Sequence, residues 1–441
     1  MRQLFLSFLL VGTLTAGAQS TTASQVARIS TDDAVERPLF KTFPGEIPYR
    51  IPAIAVNRRG ELIAVSDYRP CGGDIGFGKV DLRYRISDNN GATWSREYVL
   101  AEGDGVKGSK TCGYGDAAIA ADRGSDEAVV VCVTGNTVYG SGSTTRKNPN
   151  RVAVLHSTDG GHQWGRPVDI TEQIYALFDQ SRLGPVDALF FGSGRICQSR
   201  LIRVGHYYRL YAALCARPGG NRVVYSDDLG RTWQALGDIH TSPAPNGDEP
   251  KVEELPNGDV LLSSRVSGGR LFNIFHYLSE RNATGAWEQQ PVLSQKENGG
   301  IKALQNSTNG EILLVDARDN ATHRPVRLAL QSVPLGPGRA NVGIYYKALP
   351  SNQRNAPVWK SYTAKDFAKG WSGPLKVSPI GSAYSTMVQQ TDGRIAFFYE
   401  EETYGKGACY TNMYVPLTLE RITDGKFSAL HTQLPPKAKR R

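Results

Sequence analysis

The sequence predicts an all-β fold, a six-bladed β-propeller, on three observations. One polar turn pattern occurs three times, its copies stand about 70 residues apart, and strand-like runs far outnumber helical ones. The turns are Ser87-Asp88-Asn89-Asn90-Gly91-Ala92-Thr93-Trp94, Ser157-Thr158-Asp159-Gly160-Gly161-His162-Gln163-Trp164 and Ser226-Asp227-Asp228-Leu229-Gly230-Arg231-Thr232-Trp233. Each is built for a tight hairpin: Ser and Asp side chains bond nearby backbone amides, Gly takes positive φ, and Trp fills the gap between sheets. Strand-like runs at 82–86, 152–156 and 223–225 lead into them, and further runs at 129–133, 207–214, 260–262, 312–315 and 395–399 supply other blades. At this spacing roughly 400 residues hold close to six units, within the four to eight blades of known propellers. The best helical candidate, 174–178, is short.

Residues 1–18 read as a cleavable export signal: Met1-Arg2-Gln3, an apolar run to about Leu14, then Ala16-Gly17-Ala18. A short lead at 19–38, the propeller at 39–430 and a basic tail at 431–441 complete the expected organisation, and the protein is expected in the periplasm or outside the cell. No later stretch has the length of a membrane span. The formal charge is +9, but Arg and Lys are dispersed, which argues against nucleic acid and suits an acidic ligand held by a few placed arginines. The six cysteines stand far apart with no CxxC pair, so no structural zinc site is indicated. Disulfides and buried thiols both remain open.

The three turns resemble the Asp-box repeats of sialidases and some other propellers. The third matches fully; the first has Asn89 at the Asp position and the second has Gln163 at the Thr position. Such turns speak for fold, not chemistry. Chemistry enters with Pro48-Tyr49-Arg50-Ile51-Pro52, which resembles the Arg-Ile-Pro signature near the start of the bacterial exo-sialidase domain. Asp74 follows in a Gly-rich loop 24 residues later, where the family carries its acid/base Asp. Glu249 and Arg265 match the family hairpin that a Glu begins and an Arg ends; on composition alone Glu253 and Glu254 are rivals. Arg339, before a short Gly-containing strand, resembles the third family arginine, with Arg327 the other candidate. Tyr384 and Glu400, 16 residues apart, match the family's nucleophile and the carboxylate that braces its first arginine.

The resemblance implies an exo-α-sialidase, a retaining glycoside hydrolase acting on sialylated glycans, with no metal or organic cofactor. Sialic acid carries a carboxylate on the carbon where the glycosidic bond breaks. Three guanidinium forks, Arg50, Arg265 and Arg339, suit that anion better than lysines would. An Asp or Glu nucleophile would be repelled by it, and a neutral phenol avoids this. Tyr384 would then need a base, Glu249, while Asp74 protonates the leaving oxygen and later activates water. Arg69 and Asp116 are implied around the hydroxyl and N-acetyl side of the sugar.

Other catalytic signatures are missing: the sequence holds no HExxH and no GxSxG, and the one GxGxxG, at 103–108, precedes polar residues rather than a helix. The alternatives are a trans-sialidase on the same scaffold and a non-catalytic Asp-box propeller that binds glycans or proteins; a pure binder needs the arginines but not the acid and the activated phenol. The long segment between Arg339 and Tyr384, including Asn352-Gln353-Arg354-Asn355, is expected to add a loop near the pocket.

Overall fold

The computed structural model describes residues 35–304 and 308–430, and the expected export signal and basic tail lie outside them. Within 36–430 the chain forms six sheets, the blades of a β-propeller, antiparallel except where the short strand Gly194–Arg195 pairs in parallel with Tyr114–Ala121. Blade 1 holds Tyr49–Val56, Leu62–Tyr68, Asp81–Ser87 and Tyr98–Ala101, in that order from the axis outward. Blade 2 repeats this with Tyr114–Ala121, Ala128–Thr134, Arg151–Ser157 and Val168–Asp169. In blade 3 the inner position is shared by Ala188–Phe191 and Cys197–Val204, both paired with Tyr207–Arg217. Blades 4 and 5 begin at Pro250–Glu254 and Ile312–Asp319.

Blade 6 is assembled from both ends of the described chain. Ser382–Gln389, Ile395–Glu401 and Thr411–Leu417 are joined at the outer edge by Arg37–Phe40. Closing the ring with the first strand ties the chain's ends together and removes an open edge. The first described strand of the propeller is Arg37–Phe40.

Apolar side chains pack between neighbouring blades. Ile63, Val65 and Tyr84 of blade 1 meet Ile119, Val130 and Leu155 of blade 2 in one buried cluster. Near the axis the inner strands are tied by buried charge instead: Lys251 donates to the Ser193 and Arg195 carbonyls, and Arg195 pairs with Glu253 at 2.6 Å. These bonds tie the 193–195 segment to the inner strand of blade 4, and they satisfy groups whose burial would otherwise be costly.

All three Asp boxes join the third and fourth strands of blades 1, 2 and 3. The serine oxygens of Ser87, Ser157 and Ser226 accept the amides of Gly91, Gly161 and Gly230 at 2.8–2.9 Å. Asn89 serves as well as Asp, because its Oδ1 accepts the Thr93 amide at 2.9 Å just as Asp228 accepts that of Thr232 at 2.8 Å. Gln163 is tolerated because only its backbone amide is needed, bonded to Asp159 at 2.9 Å. The expected helix is present as Thr171–Tyr175 followed by the 3-10 turn Ala176–Phe178. All six cysteines are free thiols, four of them buried.

The segment after Arg339 does not reach the pocket. Beyond Val342–Ala348 it descends to the far end of blade 5, where Arg354 contacts Glu280. Trp359, Phe367 and Trp371 then fill the gap between blades 4 and 5 against Phe272. Three large aromatics carry the segment into an interblade core, where burying each contributes on the order of 2 kcal/mol or more.

Candidate active site

At the end of the propeller opposite the Asp boxes, all nine singled-out residues converge on one cavity of about 330 Å³ or directly behind it. Arg50, Arg69, Asp74, Asp116, Glu249, Arg265, Arg339 and Tyr384 line it. Glu400 stands behind, fully buried. The topology explains the convergence. Inner strands of blades 1, 2, 4 and 6 start at this end with Arg50, Asp116, Glu249 and Tyr384 close by, and second strands return to it at Arg69 and Arg265. A larger cavity, about 620 Å³ on blade 2 beside Arg231, has its Arg and carboxylate groups already paired with one another or with neighbours, as in Arg151 with Asp169 and Arg231 with Glu127. The smaller one carries the unusual chemistry.

Tyr384 Oη donates to Glu249 Oε1 at 2.5 Å, and Glu249 Oε2 accepts from Arg265 Nη1 at 2.9 Å and from the Asn309 amide at 3.1 Å. Burial raises the Glu249 carboxyl above the ordinary range, despite Arg265. Burial and the adjacent Glu249 hold the Tyr384 phenol well above its usual value, so the resting tyrosine is neutral.

Glu400 is bonded at both oxygens. Oε1 accepts from Arg50 Nε at 2.8 Å and from the Ile51 amide at 2.7 Å; Oε2 accepts from Arg50 Nη2 at 3.3 Å and from the Tyr384 amide at 3.2 Å. Ile51, a β-branched residue, sits at φ 55°, a conformation such residues rarely adopt. The Glu400 bond to its amide supports it, and strain of this kind gathers at functional sites. The Arg50 and Arg339 guanidinium groups each lie 5.7 Å from the centre of the Tyr384 ring. Among the described residues no carboxylate pairs with Arg339.

On the other side, Arg69 Nη2 meets three carboxylates: Asp67 at 2.8 Å, Asp74 at 3.1 Å and Asp116 at 3.5 Å. Burial pushes the Asp67 carboxyl up to about 6, even against Arg69. Asp116 is raised well above the carboxylate range by burial and by Asp74 and Asp67. Asp74 itself is exposed on its loop. Ile75, Val133, Val138, Tyr139 and Phe190 make an apolar wall, so the cavity has a charged half and a greasy half.

The rival residues fall elsewhere. Glu253 and Glu254 bond Arg195 and Arg200 within the propeller interior. Arg327 pairs with Asp316 at the far end of blade 5. Sequence reasoning missed Asp67, Asn309, the apolar wall, Asp248 in the cavity lining and Tyr410, whose ring centre lies 4.9 Å from the Arg50 guanidinium. Asp67 was readable in principle, two residues before Arg69 on the same strand face. Asn309 acts through its backbone, which leaves no residue-type signal.

No family model matches the chain. It is 28% identical over 371 residues to a sialidase of Micromonospora viridifaciens, covering 82% of this chain and 51% of that protein. The chain therefore spans about half the length of that relative. Among solved structures, a Trypanosoma rangeli sialidase in complex with 2,3-difluorosialic acid, described as a covalent intermediate, aligns with TM-score 0.59 at 17% identity over 88% of this chain and 59% of that one. A leech intramolecular trans-sialidase aligns with TM-score 0.64 at 14% identity over 91% and 73%. At these identities the structural likeness speaks for the fold.

Proposed function

We propose that this chain, a member of the bacterial sialidase family, hydrolyses terminal sialic acids from glycoconjugates with retention through a tyrosyl-enzyme intermediate. The observation that carries the reading is the 2.5 Å contact from Tyr384 Oη to Glu249, set among Arg50, Arg265 and Arg339. A buried phenol with a raised pKa is a poor nucleophile until a base takes its proton. Glu249 is in position to take it, and the Arg265 guanidinium and Asn309 amide stabilise the ionised form that does so.

The three guanidinium groups suit the substrate carboxylate, Arg339 above all because among the described residues no carboxylate pairs with it. The apolar wall of Tyr139, Phe190 and Val138 fits a small acyl group, and Asp116 and Arg69 fit ring hydroxyls. Asp74, exposed on the rim, protonates the departing oxygen and then activates water, giving two displacements at one carbon and net retention. Export is part of the same proposal, supported by the leader-like composition of residues 1–18.

The test is reporter release from a sialic-acid glycoside by wild type and Tyr384→Phe, which removes only the nucleophilic oxygen. Wild type cleaves, with NMR showing the retained anomer first, and the variant falls by about 10³-fold or more, equivalent to about 4 kcal/mol of barrier. Equal rates would remove Tyr384 from the mechanism. A wild type that binds sialosides without cleaving any linkage would make this a binding propeller.

A further inference from the structure

Asp67 has no part in the chemistry described so far, yet it holds both Arg69 and the Asp116 backbone on the acid side of the cavity. Its carboxylate is fully buried at the end of Leu62–Tyr68. Oδ2 accepts from Arg69 Nε at 3.2 Å and Nη2 at 2.8 Å. Oδ1 accepts the Asp116 amide at 3.0 Å, with Oδ2 at 3.3 Å from the same nitrogen. Asp116 sits at φ 52°, so that amide bond supports a conformation the chain does not favour unaided.

Space around the carboxylate is restricted as well. A Cβ at Gly115 would come 2.7 Å from Asp67 Oδ2 and 2.8 Å from Ile75 Cδ1, the residue that follows Asp74. Gly115 therefore leaves the room that Asp67 and the acid loop share.

We propose that Asp67 is a positioning residue for leaving-group protonation, holding Arg69 and the Asp116 backbone so that Arg69 meets Asp74 from a fixed place. This rests on the hydrolase reading above. The reasoning is geometric. Arg69 has five N–H donors and three carboxylate neighbours, and two of its nitrogens are committed to Asp67. Arg69 already meets Asp74 at 3.1 Å; released from Asp67, the guanidinium is free to move closer and tighten its hold on the group that must donate its proton, while Asp116 loses its amide anchor. The damage falls on proton donation to the leaving oxygen and spares the arginines that face Tyr384.

Asp67→Asn tests this through the leaving group. An aryl sialoside, whose phenolate departs with little help, is compared with sialyl-lactose, whose sugar oxygen must be protonated. The variant's kcat/KM is expected to fall roughly 100-fold on sialyl-lactose and less than about 10-fold on the aryl glycoside, within the range one acid supplies. Gly115→Ala, which crowds Asp67 without removing its charge, should show the same bias in smaller measure and stands in should Asp67→Asn not fold. An equal fall on both substrates in the folded variants, or no fall on either, overturns the proposal. Wild type inert on both overturns the hydrolase reading beneath it, and the proposal with it.

Discussion

Glu400→Gln is the substitution whose consequences follow most directly from the structure. The carboxylate takes four hydrogen bonds, two on each oxygen, from Arg50, Ile51 and Tyr384. An amide keeps one oxygen. Placed towards Arg50 Nε and the Ile51 amide, that oxygen retains two bonds without the charge. The new NH2 then faces Arg50 Nη2 and the Tyr384 amide, donor against donor. Bonds to charged groups contribute about 1.5–3 kcal/mol each, so losing two costs about 3–6 kcal/mol, and breaking one partner of a buried ion pair costs about 3–5 kcal/mol. Unfolding entropy of about 2.1 cal/mol/K per residue gives about 0.8 kcal/mol/K for a propeller of this size, hence a Tm lowered by about 4–6 °C. Arg50 and the Tyr384 backbone share this brace, so kcat/KM on a sialoside falls roughly 100-fold through misplacement alone. Differential scanning fluorimetry and steady-state kinetics read both effects. A Tm within 1 °C of wild type together with kcat/KM within threefold would refute the claim that Glu400 organises the site.

Acidification should stabilise the protein. Asp67, Asp116 and Glu249 have folded-state pKa values raised above their ordinary ones, so each favours the native state when protonated and loses that contribution as pH rises through its folded value. For Asp67, shifted from 3.8 to about 6, the effect is about 3 kcal/mol. Glu253 does not oppose this: although burial disfavours its charge, Arg200 and Arg195 hold it down to about 2, below the window. Tm therefore rises between pH 7.5 and 5, less so in Asp67→Asn, and a fall over that interval contradicts the assignment. At the other end of the propeller, Asp228→Ala removes the acceptor of Ser226 Oγ and the Thr232 amide and hydroxyl, lowering stability by about 1–2 kcal/mol with kcat unchanged. A kinetic effect there would tie the Asp boxes to chemistry.

The repeated turn was legible because its requirements are local. Ser, Asp or Asn, Gly and Trp at set positions form one hairpin wherever it lies, and their spacing implied a propeller. The cavity's charged residues were legible one by one through resemblance to a family whose chemistry calls for those residue types at those intervals. By itself, then, the sequence determined the blade repeat and the residue types that would carry chemistry.

What only the tertiary structure decided was which of those residues meet. Arg50 and Glu400 are 350 positions apart and touch because ring closure sets blade 6 beside blade 1. Glu249 rather than Glu253 reaches Tyr384 because it lies just outside the strand, at the cavity end, while Glu253 points into the interior among arginines. The 342–371 segment leaves the pocket because its aromatics have an interblade gap to fill. Asp67 could be read only as a neighbour of Arg69, and Asn309 not at all, since the Asp116 amide that Asp67 accepts and the Glu249 carboxylate that the Asn309 amide meets come from other blades. Local turns follow from short-range sterics and hydrogen bonds; the site follows from contacts that exist only once the ring has closed.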